Sequence, residues 1–116
     1  LERHRATGEA CGFIDVEPDS DGVCTVGLYN EKLGFAVATR YKKKQLPSLA
    51  NWQHWGPGEY VTGLEPGTNP PIGQGKAREL KQLIHLDPGT SRTYDLEVSV
   101  LSDPQDIRRF LKAAGR

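Results

Sequence analysis

Between positions 92 and 101 the chain reads Arg92-Thr93-Tyr94-Asp95-Leu96-Glu97-Val98-Ser99-Val100-Leu101. Tyr94, Leu96, Val98 and Val100 alternate with Thr93, Asp95, Glu97 and Ser99. A period of two puts one set of side chains on each side of an extended strand, so this stretch predicts β structure. Working backwards, residues 35–41 repeat the pattern, with Phe35, Val37, Thr39 and Tyr41 against Ala36, Ala38 and Arg40. Residues 23–29 are rich in β-branched side chains, and residues 9–17 carry Cys11 and Phe13 in alternation before the turn cluster Pro18-Asp19-Ser20-Asp21-Gly22. These first two segments predict a β-hairpin with a longer loop.

Further along, residues 46–55 hold Leu49, Trp52 and Trp55 between Pro47 and Gly56-Pro57-Gly58, and residues 59–64 form another strand closed by Glu65-Pro66-Gly67. Residues 68–75 read as an irregular loop and residues 78–86 as a short strand of uncertain period, followed by the turn Asp87-Pro88-Gly89-Thr90. Only the tail reads as helix, over about 103–113. Ser102 or Asp103 can cap it, Pro104 suits its first turn, and Ile107, Phe110 and Leu111 recur at helical spacing. The expectation is an all-β, antiparallel β-sandwich with one short C-terminal helix. It forms one domain over residues 1–116 or the C-terminal portion of a larger one, because the chain starts at Leu1 and contains no Met. The segments around Trp52 and Tyr60 look apolar on both faces, which suggests a larger parent or a partner chain beside them.

Composition narrows the function classes. The chain has 116 residues, 36% hydrophobic and 26% charged, as a globular domain requires. Fifteen basic residues balance fifteen acidic ones, which removes the electrostatic case for nucleic acid or an anionic membrane. Lys42-Lys43-Lys44 is the one basic cluster and reads as a solvated turn or a charged strand edge. No apolar run approaches the roughly 18 residues that span a bilayer. Cys11 and Cys24 have neither metal nor redox spacing; they read as small buried hydrophobes of a reducing, cytoplasmic compartment, or as a pair if their strands are neighbours. No metal or cofactor is implied, since Gly73-x-Gly75 lacks the strand–helix setting of a dinucleotide fingerprint.

Chemistry-bearing side chains crowd into residues 46–69. Trp52, Gln53, His54, Tyr60, Glu65 and Asn69 supply the aromatic rings that stack on sugar C–H faces and the polar groups that bind hydroxyls. The plain alternative is core aromatics among exposed polar residues.

The order Leu-Pro-x-Leu-x-x-Trp-Gln, then Gly-x-Gly-Glu-Tyr-Val-x-Gly-Leu-Glu-Pro-Gly-Thr, resembles the C-terminal region of aldose 1-epimerase (galactose mutarotase-like) proteins. The likeness is to a bacterial subgroup carrying a Tyr-Val-x-Gly-Leu-Glu-Pro strand. Ala77-Arg78-Glu79-Leu80 and Leu83-Ile84-His85-Leu86-Asp87-Pro88-Gly89 extend it, over about residues 23–101. The resemblance implies a metal-free isomerase in which Glu65 is the general base at the anomeric hydroxyl. It implies Trp52, Gln53, His54, Tyr60 and Asn69 as sugar contacts. The family's acid histidine lies upstream of this region, and His4, His54 and His85 match no such motif. The implied partners are a small-molecule sugar and either the missing N-terminal part of a parent protein or a second copy. A non-catalytic carbohydrate-binding or structural β-sandwich module is the competing reading, with Glu65 an acceptor of backbone N–H groups in the Pro66-Gly67 turn.

Overall fold

In a computed structural model that describes residues 8–115, six strands and two helices follow one another as β1 (Gly8–Ile14), β2 (Val23–Asn30), β3 (Phe35–Lys42), β4 (Ser48–Gly56), β5 (Glu59–Gly67), α1 (Gln74–Glu79), β6 (Leu96–Leu101) and α2 (Pro104–Ala113). The strands form two antiparallel three-stranded sheets, ordered β1-β4-β5 and β2-β3-β6. These all-β elements with a single short C-terminal helix are those the alternating sequence predicts for a sandwich protein. The chain falls into two compact units. One contains Pro47–His85 with the segment ending at Asp15; the other contains Val16–Leu46 and Leu86–Arg116. Among the described residues no helix is long and apolar enough to cross a membrane.

The second unit is organised by α2. Asp103 caps the helix, its carboxylate accepting the backbone N–H groups of Gln105 and Asp106, and Pro104 occupies the first turn where no donor is missed. Ile107 and Phe110 pack on Ala36 and Ala38 of β3, with Tyr29, Leu101 and Leu111 at the margin. Small residues are needed there because they let the helix approach. A Cβ at Gly27 would lie 2.2 Å from the Val37 carbonyl and 2.8 Å from the Phe110 ring. A second cluster joins Cys24, Tyr41 and Leu46, and Val16 and Val26 pack against it.

Four expectations are corrected. Residues 9–17 and 23–29 do not form a hairpin: β1 pairs with β4, and β2 pairs with β3 across the short turn at 31–34. The Asp19 carboxylate instead closes the 18–22 cluster onto the start of β2, accepting from Asp21 and Val23. Residues 78–86 are not a strand. Lys76-Ala77-Arg78-Glu79 are good helix formers and continue α1, which stops where Lys81 takes φ +56° and Gln82 donates back to Ala77. His85 is accordingly exposed and outside any strand. The strand expected over 92–101 begins only at Leu96, because Asp95 is tied to Gln45 by two hydrogen bonds, one through its backbone N–H and one through its carboxylate. Finally, only Cys24 is a buried cysteine; Cys11 is exposed, and both are free.

The basic cluster is a turn at the end of β3, as its composition suggests. Lys43 Nζ donates to the Val16 carbonyl at 2.7 Å and Lys42 Nζ to the Asp21 carbonyl at 3.3 Å.

Candidate functional site

The sheet β1-β4-β5 carries every residue of the sequence-derived site except Asn69. Its central strand, β4, lies between β1 and β5, and directly opposed residues of an antiparallel pair share a face. The register therefore sorts the side chains without ambiguity. Ala50 faces Glu65, Trp52 faces Gly63, His54 faces both Glu9 and Val61, and Gly56 faces Glu59. All of these belong to one face. Asn51 with Leu64, Gln53 with Thr62 and Trp55 with Tyr60 belong to the other.

On the first face Trp52 is half-buried, and its indole Nε1–H donates to Glu9 Oε1 at 2.6 Å. The His54 ring stacks alongside, with centroids 6.4 Å apart and planes inclined by 18°. His54 Nε2 lies 3.5 Å from Glu59 Oε2. Glu65 arrives from the other end of β5 and folds back over Gly63. A Cβ built at Gly63 would stand 2.6 Å from Glu65 Oε1, so the carboxylate occupies the volume a side chain there would fill. Gly63, the register partner of Trp52, thus makes a notch on this face that seats the Glu65 carboxylate. The Glu65 carboxylate is exposed and has no hydrogen-bond or ion-pair partner among the described residues, so it is not an acceptor for the Pro66-Gly67 turn.

Charge is segregated in the same way. The three strands contain three ionisable carboxylates (Glu9, Glu59 and Glu65), one histidine (His54) and no Lys or Arg, and all four share this face. An aromatic ring bordered by acceptors and one imidazole can stack on an apolar ring face, hold hydroxyl groups and exchange protons with them. Among the described residues no group of three or more His, Cys, Asp or Glu is arranged to hold a metal ion.

The opposite face is built differently. Asn51 Nδ2 donates to Thr62 Oγ1 and to the Gly63 carbonyl, each at 3.0 Å, and Gln53 donates to Asn51 Oδ1. Trp55 and Tyr60 stack with centroids 5.4 Å apart. Gln53 and Tyr60 therefore stand away from Glu65: the sheet brings together Glu65, Trp52 and His54, and it separates them from the other two. Asn69 follows β5 and closes its own loop, accepting from Thr68 Oγ1 and donating to the Pro70 carbonyl. His4 lies outside the described residues.

Glu9, Glu59 and Gly63 escaped the sequence reading. Glu59 and Gly63 sit inside the quoted motif, and period-two counting from Trp52 and Glu65 would have found them. Glu9 had no local signal, because it reaches the site through the long-range β1–β4 pairing.

A family model described as a domain of unknown function (DUF4432) matches residues 2–100. Neither the curated proteins nor the solved structures gave a match.

Proposed function

The chain belongs to the DUF4432 family, and from the arrangement on the β1-β4-β5 sheet we propose that it binds a carbohydrate over Trp52 and interconverts the anomers of an aldose, with Glu65 as general base. One observation carries the reading. The Glu65 carboxylate has no partner within the described residues and is seated at Gly63, the register partner of Trp52. A sugar stacked on that ring would offer its anomeric hydroxyl to an acceptor already in position. The resemblance of the Tyr-Val-x-Gly-Leu-Glu-Pro stretch to aldose 1-epimerases supports the same residue for the same role. Glu9 holds the indole through its Nε1–H, and the face needs neither metal nor organic cofactor for a proton transfer.

Exposure of Glu65 favours a second reading, a non-catalytic carbohydrate-binding module, since a carboxylate base near neutral pH is ordinarily desolvated. Sugar closure over the ring would supply that desolvation only in the complex.

Anomer exchange measured by NMR on a panel of aldoses separates the two. For the enzyme, Glu65→Gln lowers exchange by roughly 10²–10⁴-fold, the usual weight of a general base. Sugar affinity stays within about 1.5 kcal/mol of the parent, the scale of one neutral hydrogen bond. Exchange by the unaltered chain at the spontaneous rate, with sugar binding retained, would instead establish the binding module.

A further inference from the structure

Among the described residues four strands stand at sheet edges, β1 and β5 in one sheet and β2 and β6 in the other. Of these, β1 alone is exposed at every residue. A strand edge offers a row of unpaired N–H and C=O groups, which proteins ordinarily guard with proline, lysine, a bulge or a covering loop. The segment Gly8-Glu9-Ala10-Cys11-Gly12-Phe13-Ile14 contains no proline and no lysine. Its register with β4 runs unbroken from Gly8↔Trp55 to Ile14↔Leu49, so no bulge twists the edge away. Its one charge, Glu9, is held to the sheet face by the bond from Trp52 Nε1. Among the described residues no backbone hydrogen bond beyond the β1–β4 ladder reaches this strand. By contrast β5, at the other edge of the same sheet, carries Pro66 and two glutamates.

We infer that the outer edge of β1 pairs antiparallel with β1 of a second copy of this chain, about a two-fold axis at Cys11. The strand's own sequence sets that register. An isologous contact is self-complementary, and only the register centred on Cys11 engages all 7 residues of both strands. It places Cys11 opposite Cys11, Ala10 opposite Gly12, Glu9 opposite Phe13 and Gly8 opposite Ile14. Like charges directly opposed destabilise a strand pair. Here each Glu9 meets a Phe13 ring that is 58% exposed in the single chain. The two carboxylates stand four residues apart, about 13 Å along the strands. A register centred on Glu9 would set carboxylate against carboxylate and leave most of the edge unpaired. Small residues, Ala10, Cys11 and Gly12, surround the axis, so no bulky side chain holds the two backbones apart.

The pairing joins two three-stranded sheets into one, ordered β5-β4-β1-β1-β4-β5 across the axis. Directly opposed residues share a face. Phe13 of the second copy therefore lies beside Glu9, on the face that carries Trp52 and His54. An apolar ring there lowers the local dielectric and strengthens the hydrogen bond from the Trp52 indole to Glu9. Each copy thus borders the other's candidate site. A strand of different sequence could gain the same backbone bonds, but it would lack this reciprocal match of ring, carboxylate and small residues. The inference stands whatever ligand the Trp52 face takes.

The test begins with sedimentation equilibrium of the reduced full chain over a concentration series reaching about 1 mM. The expected mass climbs from 12.8 kDa toward twice that value. Cys11→Lys and Cys11→Asp each set like charges face to face and abolish the dimer, while an equal mixture of the two restores it. Circular dichroism confirms that each variant folds, and rescue by mixing has no explanation in misfolding. Oxidised glutathione then joins unaltered copies through Cys11. Opposed Cα atoms about 4.5–5.5 Å apart lie within disulfide reach, and the other cysteine, Cys24, is buried. In the double variant Cys11→Ser/Phe13→Cys the thiols stand about 13 Å apart across the axis and cross-link roughly tenfold more slowly or not at all. A mass of 12.8 kDa at every concentration overturns the inference. So does a dimer that survives both charge substitutions, or one whose Phe13→Cys thiols join as fast as Cys11, since it uses another surface or register.

Discussion

The central strands of the two sheets have the same position and opposite content. In β3 the residues facing α2 are Ala36 and Ala38, fully or almost fully buried, and Tyr41 is buried on the other face. In β4 the corresponding middle positions are Asn51, Trp52, Gln53 and His54, all half-buried. A central strand is ordinarily the most apolar of a sheet, and polar groups there cost free energy unless hydrogen-bonded. Asn51 and Gln53 are so bonded, to Thr62, the Gly63 carbonyl and each other. Trp52 and His54 take their partners from Glu9 and Glu59. One sheet uses its centre for packing; the other uses it to display side chains. The difference locates the candidate site more firmly than any single residue does.

The comparison breaks most visibly at the helix. Phe110→Ala removes the ring that fills the space over Gly27, Ala36 and Ala38. An expected loss of about 3–5 kcal/mol should appear as a large fall in the urea midpoint. Under the reading above, sugar binding by the folded fraction is unchanged, since the ring belongs to the β2-β3-β6 unit. A loss below 1 kcal/mol would mean that α2 is not what organises that sheet.

Two glycines sharpen the contrast on a smaller scale. At Gly27 an added methyl meets backbone, 2.2 Å from the Val37 carbonyl and 3.0 Å from the Ala38 Cα, which neither strand can relieve without moving. Gly27→Ala should cost about 1–3 kcal/mol, read from chemical denaturation. At Gly63 the same methyl meets only Glu65, with Oε1 at 2.6 Å and Cδ at 3.3 Å, the far end of a flexible chain. Gly63→Ala should therefore cost less than about 1 kcal/mol, with the carboxylate swinging aside. If the notch sets the working position of Glu65, anomer exchange falls sharply while the melting temperature barely moves. Equal stability losses at the two positions would remove the distinction between a packing glycine and a site glycine.

How much of this could be read from sequence follows from the range of the interactions. The strands were legible because period-two alternation is local, and α2 because its cap, its first-turn proline and its Ile107–Phe110 spacing are local too. Pairing was not. The hairpin expected of the first two strands fails because β1 joins β4 instead, a choice made by contacts about 40 residues apart that no short window contains. Alternation also left open which side is covered. Val98 and Val100, the apolar set of the clearest strand, are 65% and 68% exposed, whereas the small side chains of β3 lie under the helix. For the site, the types of residue were legible and their grouping was not. Trp52, Gln53, His54, Tyr60 and Glu65 read as one set along the chain, yet parity alone sends Gln53 and Tyr60 to the far face.

The smallest effect concerns two carboxylates with opposite employment. Glu65 has no partner among the described residues, whereas Asp19 Oδ1 accepts the backbone N–H groups of Val23 and Asp21, each at 2.9 Å. The Val23 N–H is the largest cause holding the Asp19 carboxyl below its ordinary 3.8. Desolvation works against it, while the Asp21 N–H and the charges of Arg40 and Lys42 add to it. A carboxyl with a lowered folded-state pKa binds its proton more weakly when folded. Its contribution is therefore complete above the unfolded value and is lost as pH falls through the folded one. Asp19→Asn keeps an acceptor oxygen but removes the charge, so its urea midpoint should lie slightly below the parent's near neutrality and converge with it below about pH 3.8. Glu65→Gln, by contrast, removes no hydrogen bond of the described fold, so its urea midpoint near neutrality should lie close to the parent's. An Asp19 offset that stays constant down to strong acid would mean the turn is held by its hydrogen-bond geometry alone, and the electrostatic half of this contrast would fall.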